Sequence, residues 1–306
     1  MQTLPALRTE IIGFDSGWGC ANFLCEDGPT SVNASSILAL LAARDVSAQW
    51  HGPLGLKFLG KHEDVKGKLD SLPQVLTGLR RLSDTVRVSV ENGNIPLVIG
   101  GDHSSAIGTW SGVVAAKKAH GKFGLIWVDA HMDCHTIETS YQGKWGGWWH
   151  GQPVTALTGH GLPDLQHIGG IVPKISPCNI SIIGAHSYEP AEVAFAKREG
   201  IRVFFLEEVQ QRGFKTCFDE ALARANDGTD AFGLTIDMDC FRPEDSPGVG
   251  SAEDTGLVAA EVLPILKSIA RHSRFAALEL AEFNPHQDKL NKTGQLIENI
   301  IESCFS

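Results

Sequence analysis

Three short runs in this chain each end an apolar stretch with side chains that can hold a metal ion: Leu97-Val-Ile-Gly-Gly-Asp-His-Ser104, Leu125-Ile-Trp-Val-Asp-Ala-His-Met-Asp133 and Leu234-Thr-Ile-Asp-Met-Asp239. In the first, two glycines let the chain turn tightly and deliver His103. In the second, Asp129, His131 and Asp133 follow one another at a spacing of two, as Asp237 and Asp239 do in the third. If extended backbone continues past the strand, side chains two apart share a face. The runs then bring four carboxylates and two imidazoles together. Four ionised aspartates in one place repel each other and raise each other's pKa, and two divalent cations would cancel their charge. Mixed imidazole and carboxylate ligation suits Mn²⁺, Fe²⁺, Co²⁺ or Zn²⁺, and carboxylate-rich sets lean toward Mn²⁺. Two such ions about 3.5–4 Å apart can hold and ionise one water as a nucleophile. Each run alone has a plainer explanation, a capped loop for the DxD or a buried histidine in a tight turn for the GGDHS. Three runs in the same context favour the metal centre.

These side chains need strands whose carboxyl ends lie side by side. Candidate strands are Glu10–Phe14, Leu97–Ile99, Gly124–Val128, Ile180–Ile183, Val203–Leu206, Gly233–Ile236 and Ala276–Leu280. Their continuous apolar character predicts strands buried on both faces, as in a parallel sheet. Helical segments are predicted at Ser31–Arg44, Asp64–Asn92, Pro190–Glu199, Lys215–Ala225 and Ala259–Arg271. Pro190 and Glu192 suit a helix first turn, and Gly200 its stop. The alternation predicts an α/β fold in three layers, helices on both faces of a mainly parallel sheet, as one catalytic domain over 1–306. Ligands of such sheets bind at the carboxyl ends of the strands.

Composition narrows the partners. The chain of 306 residues carries 26 Lys and Arg against 36 Asp and Glu, a net charge of −10, which disfavours nucleic acid and anionic membranes. Apolar runs such as Ile37–Ala43 fall far short of the ~20 residues of a membrane helix. No secretion signal is evident at MQTLPALRTE. The seven cysteines are scattered without a CxxC, so a disulfide framework is not expected and the cytoplasm is the expected compartment.

The GGDHS, DAHMD and IDMDCFRPEDSPGVG blocks resemble the metal-binding blocks of the arginase–agmatinase (ureohydrolase) family, and the resemblance runs over nearly the whole chain. Glu26-Asp-Gly-Pro29 resembles its N-terminal segment and Ala281-Glu-Phe-Asn-Pro285 its last active-site block. The resemblance implies a binuclear manganese centre, with Co²⁺, Ni²⁺, Fe²⁺ or Zn²⁺ as alternatives, and a trimer or hexamer. By the same resemblance, His103, Asp129, Asp133 and Asp237 bind one ion, and Asp129, His131, Asp237 and Asp239 the other. Glu282 matches the glutamate that grips the substrate guanidinium, and His150 the histidine that moves protons. Within the family the arginase branch fits better, and Glu189 and Glu192 match residues that hold an α-amino group.

The stretch Cys134–His150 departs from that pattern. It is longer, places His135 where the family has asparagine, and contains Trp145, Trp148 and Trp149. Arg242 stands where an aspartate is usual. The departures touch recognition of the substrate's amino-acid end, not the metals. We expect Trp145 to His150 to form a rim over the site, with Trp148 and Trp149 contributing to substrate contact, His135 beside them and His150 turned inward. The leading activity is hydrolysis of a small guanidino substrate, L-arginine to L-ornithine and urea. A relative acting on agmatine, guanidinobutyrate or formiminoglutamate is the alternative. A single-metal deacetylase would not need His103, Asp133 and Asp239, and a non-catalytic subunit would not keep all six ligands.

Overall fold

The computed structural model describes residues 7–119, 122–141 and 147–306. Eight strands form one sheet: β1 Leu7–Phe14, β2 Val46–Pro53, β3 Ile95–Gly100, β4 Phe123–Val128, β5 Ile180–Ala185, β6 Arg202–Phe205, β7 Ala231–Asp237 and β8 Phe275–Ala281. Their order is β2-β1-β3-β8-β7-β4-β5-β6, and every named pairing is parallel. The longer helices are α1 Ala34–Ala42, α2 Lys68–Glu91, α3 Ser105–Lys117, α4 Pro190–Glu199, α5 Phe214–Ala225 and α6 Lys292–Cys304.

The predicted three-layer arrangement follows from the strand residues themselves. Along β3, Leu97 and Ile99 join the apolar cluster that holds α1, α5 and α6, whereas Val98 joins the cluster that holds α2, α3 and α4. Along β4, Ile126 and Val128 face the first cluster and Leu125 and Trp127 the second. A strand with an apolar layer on each side needs apolar residues at every position, which is why these runs lack alternation.

Several elements depart from expectation, among them α6, which was not predicted. β2 was not predicted: it is an edge strand of sequence VSAQWHGP, with only two of its eight residues buried and too few apolar residues to read as a core strand. α3 was not predicted either. Ten of its residues, from Ser105 to Val114, are buried, so it has no polar face to give a helical period. Ala259–Arg271 is not one helix: it is helical over Ala259–Val262, with a separate turn at Ile269–Arg271. Pro264 has no N–H to continue the first piece. No helix among the described residues is long and apolar enough to cross a membrane.

The sheet order places the chemistry. β3, β8, β7 and β4 are consecutive neighbours, so the segments leaving their carboxyl ends meet at one edge. Those segments carry His103, Glu282, Asp237 with Asp239, and Asp129 with His131.

Candidate metal centre and substrate cleft

Asp129 and Asp237 sit where their strands end, and each starts a tight turn rather than continuing extended. The His131 N–H donates to Asp129 Oδ1 at 2.7 Å, and the Asp239 N–H to Asp237 Oδ1 at 2.8 Å. This is the local turn that aspartate favours, in which the side chain accepts a hydrogen bond from the backbone two residues on. Asp133 lies at φ +51°, in the left-handed region. Convergence is therefore achieved by turns and not by the shared strand face that the spacing suggested.

Two groups result. Single ligand atoms of His103, Asp129 and Asp237 lie within 4.8 Å of one another, and so do those of Asp129, His131 and Asp239. Asp129 belongs to both. His103 Nδ1 is 3.0 Å from Asp237 Oδ2, 3.1 Å from Asp129 Oδ2 and 3.4 Å from Asp133 Oδ2. His131 Nδ1 is 3.4 Å from Asp129 Oδ1 and from Asp239 Oδ2.

The outer nitrogen of His103 fixes which atom faces the aspartates. Its Nε2 lies 3.0 Å from Thr235 Oγ1. Thr235 in turn donates to Glu279 Oε2 at 2.9 Å, while Ser105 and Thr109 donate to Glu279 Oε1. With its own proton committed to Glu279, the threonine oxygen must accept from Nε2–H. Nδ1 is then the atom aimed at Asp129, Asp133 and Asp237, with a lone pair to offer a cation once its own proton is displaced. Trp127 stacks on the ring at 4.2 Å and donates its indole N–H to Asp129 Oδ2 at 2.8 Å.

His103 Nδ1 and both carboxylate oxygens of Asp239 are buried without a hydrogen-bond partner among the described residues. Burial pushes Asp239 up to about 6. Burial, then the neighbouring carboxylates, push Asp133 and Asp237 well above the usual range. For His103, burial works against the charged ring, but contact with Asp129 and Asp237 outweighs it. Orphaned ligand atoms and mutually repelling carboxylates are what a site built for divalent cations presents, so these residues fit two such ions.

Above the aspartates is a cleft of about 720 Å³. Glu282 follows β8 at φ +63°, a left-handed backbone that an L-residue adopts at a cost. Its carboxylate is held by the His103 N–H at 2.9 Å and His150 Nδ1 at 3.1 Å, both on Oε1, and by the Cys25 thiol at 3.2 Å on Oε2. Burial opposes the charge of Glu282, but the bond from His150 leaves it below its ordinary value. Burial likewise opposes the charge of His150, but Cys20 and then Glu282 hold the ring well above its ordinary value.

Of the expected substrate contacts, His135, Trp148, Glu189 and Glu192 line the cleft. Trp149 does not. Its side chain is buried and its indole N–H donates to the Lys68 carbonyl at 2.8 Å, so it serves as packing. Trp145 of the expected rim lies outside the described residues. Glu192 accepts from the Cys134 N–H at 3.1 Å and the Glu189 N–H at 3.0 Å, which ties the loop after Asp133 to the start of α4. Arg242 pairs with Asp245 at 2.9 Å and is not part of the cleft lining. Sequence reasoning missed Thr235, Glu279, Trp127, Cys25 and Glu253. Trp127 and Thr235 lie inside the quoted runs, but at strand positions ahead of the ligands, and Glu279, Cys25 and Glu253 lie outside those runs, so only sheet register and loop return bring them to the site.

The sequence profile of the Arginase family matches residues 14–306. The arginase of Bacillus caldovelox is 33% identical over 297 residues, which span 96% of this chain and 97% of that one. The Bacillus subtilis arginase is 31% identical over 297 residues, spanning 96% of each chain. The native structure of the Bacillus caldovelox arginase superposes with a TM-score of 0.87 at 31% identity, covering 98% of each chain.

Proposed function

Since this chain belongs to the arginase family, we propose that it hydrolyses L-arginine to L-ornithine and urea at the cleft floored by the two aspartate–histidine groups. The observation that carries this reading is the pair of groups sharing Asp129, with orphaned His103 Nδ1 and Asp239 oxygens beneath Glu282. His103, Asp129, Asp133 and Asp237 would hold one cation, and Asp129, His131, Asp237 and Asp239 the other. The carboxylate-rich set favours Mn²⁺. When bound, such ions supply Lewis-acid activation of water and of the electrophilic carbon.

The chain's own groups do the rest. Glu282 is ionised and offers two oxygens to the paired N–H groups of a planar guanidinium. It orients the substrate carbon over the floor and favours positive charge there. His150, charged and anchored to Glu282 through Nδ1, carries on Nε2 the proton that the leaving amine needs. Glu189 and Glu192 at the cleft wall suit the α-amino group at the other end.

His135 supports a second reading. Where the family resemblance expects an asparagine, this imidazole lies 3.7 Å from Glu192, which alters the end of the cleft that would read an α-carboxylate. The deciding experiment is product release by Mn²⁺-loaded protein on L-arginine, agmatine, guanidinobutyrate and formiminoglutamate. Urea from L-arginine at the highest kcat/KM is the expected result. Preference for agmatine or guanidinobutyrate would replace the substrate while keeping the chemistry. No product from any of them would overturn the reading.

A further inference from the structure

Each imidazole at the cleft floor has an outer nitrogen that must be satisfied. For His103 it is backed by Thr235 and Glu279. For His131 it is Nε2, which faces Glu253 Oε1 at 3.4 Å. Glu253 belongs to none of the three motif runs. It stands in the loop that leaves β7 and returns past Gly250, whose N–H donates to the Glu282 carbonyl at 3.1 Å. The loop thus packs on the segment carrying the guanidinium-binding carboxylate. Glu253 is further held by Ser187, on the turn after β5. The side chains of Glu253 and His131 are 24% and 22% exposed, so their contact is largely shielded.

A neutral imidazole carries one proton. An acceptor at Nε2 selects the form protonated there and leaves the Nδ1 lone pair toward Asp129 and Asp239. We propose that Glu253 is a positioning residue: it holds His131 in this tautomer, adds negative charge behind the ring, and so tightens the cation shared by Asp129, His131 and Asp239. The inference rests on the reading that those three residues hold a cation. The competing role is direct contact with substrate, because Glu253 also lines the cleft.

The experiment is a calorimetric titration of the metal-free full chain with Mn²⁺, followed by elemental analysis, for wild type, Glu253→Ala and Glu253→Gln. The expected result is that Glu253→Ala weakens one of two Mn²⁺ sites by about 10–100-fold and leaves the other unchanged. Glu253→Gln keeps an acceptor but not the charge, and is expected to fall between the two. Unchanged Mn²⁺ affinity at both sites, with a rise in KM alone, would assign Glu253 to the substrate and overturn the proposal. Equal loss at both sites with a lower unfolding midpoint would overturn it in favour of a purely structural role. A wild-type chain that binds fewer than two Mn²⁺ would overturn this inference together with the metal reading beneath it, which separates the two failures.

Discussion

Glu282 is gripped by donors from three separate segments, and its backbone is left-handed. That arrangement fixes a carboxylate in place and leaves its charge as the working property. Glu282→Gln keeps the shape and an acceptor for the His103 N–H but removes the charge-assisted pair with a guanidinium. Turnover of L-arginine is expected to fall by about 10²–10³-fold, the scale seen when one preorganised electrostatic partner is lost. The content of bound Mn²⁺ is expected to be unchanged, and elemental analysis checks it. Thr235→Val is the complementary change. It keeps the volume, breaks the link from His103 to Glu279, and is expected to weaken Mn²⁺ binding by about 10–100-fold in calorimetry. Proton competition gives a third residue-level expectation. Burial pushes Asp239 up to about 6 in the cation-free protein, and a ligand must lose its proton to bind a cation. Mn²⁺ affinity is therefore expected to decline as the pH falls, with His103, held well above its ordinary value, competing for protons already at higher pH and Asp239 adding its share near 6; affinity independent of pH would contradict the role of these ligands. The aspartates and histidines of the centre were legible because each ends an apolar run. Thr235 and Glu279 were not, since each is a lone polar residue inside a strand whose partner is fixed only by the pairing of β7 with β8.

At the scale of elements, α3 is the one whose chemistry and packing are most tightly joined. It begins directly after His103, and it lies against α2 through glycines. A Cβ on Gly112 would sit 2.4 Å from the Ser83 carbonyl oxygen and 2.9 Å from Val86 Cβ. Gly112→Val is expected to force the helices apart at a cost of about 1–3 kcal/mol, read as a lower denaturant midpoint. Because α3 carries Ser105 and Thr109, which hold Glu279, Mn²⁺ affinity is expected to fall with it. The residues that make this packing close, Gly108, Gly112 and the serines and alanines around them, are those that hid the helix from a periodicity argument. The central strands announced themselves by their apolar runs. Elements at the extremes of exposure, the wet edge strand β2 and the fully enclosed α3, carry no contrast between faces for a sequence reading to detect.

For the whole molecule, the acid limit of stability has an identifiable surface contribution. Arg202 and Arg212 share Glu208 and Glu220. The bonds from Arg202 and Arg212 hold Glu208 below its ordinary value, and those from Arg212 and Arg202 do the same for Glu220. Folded-state values below the unfolded ones give a contribution that is complete above the usual glutamate range and is lost as the pH falls through the folded values. These pairs are open to solvent, so their individual contributions are small. Glu208→Gln is expected to flatten the loss of stability below the ordinary glutamate value of 4.5, and added salt to mimic it. Denaturant midpoints measured across acid pH check both.

The order of strands in space differs from their order of synthesis. β8 is the last strand along the chain, yet it lies between β3 and β7 near the middle of the sheet. Until residues 275–281 emerge from the ribosome, β3 and β7 have no neighbour to join them, and the two halves of the sheet cannot close on each other. The cost of bringing such distant segments together falls late. A partly made chain can thus hold its ligands on both sides of an open seam without assembling the cleft. The strand that closes the seam is also the one followed by Glu282, so completing the sheet and acquiring the guanidinium-binding carboxylate are the same step.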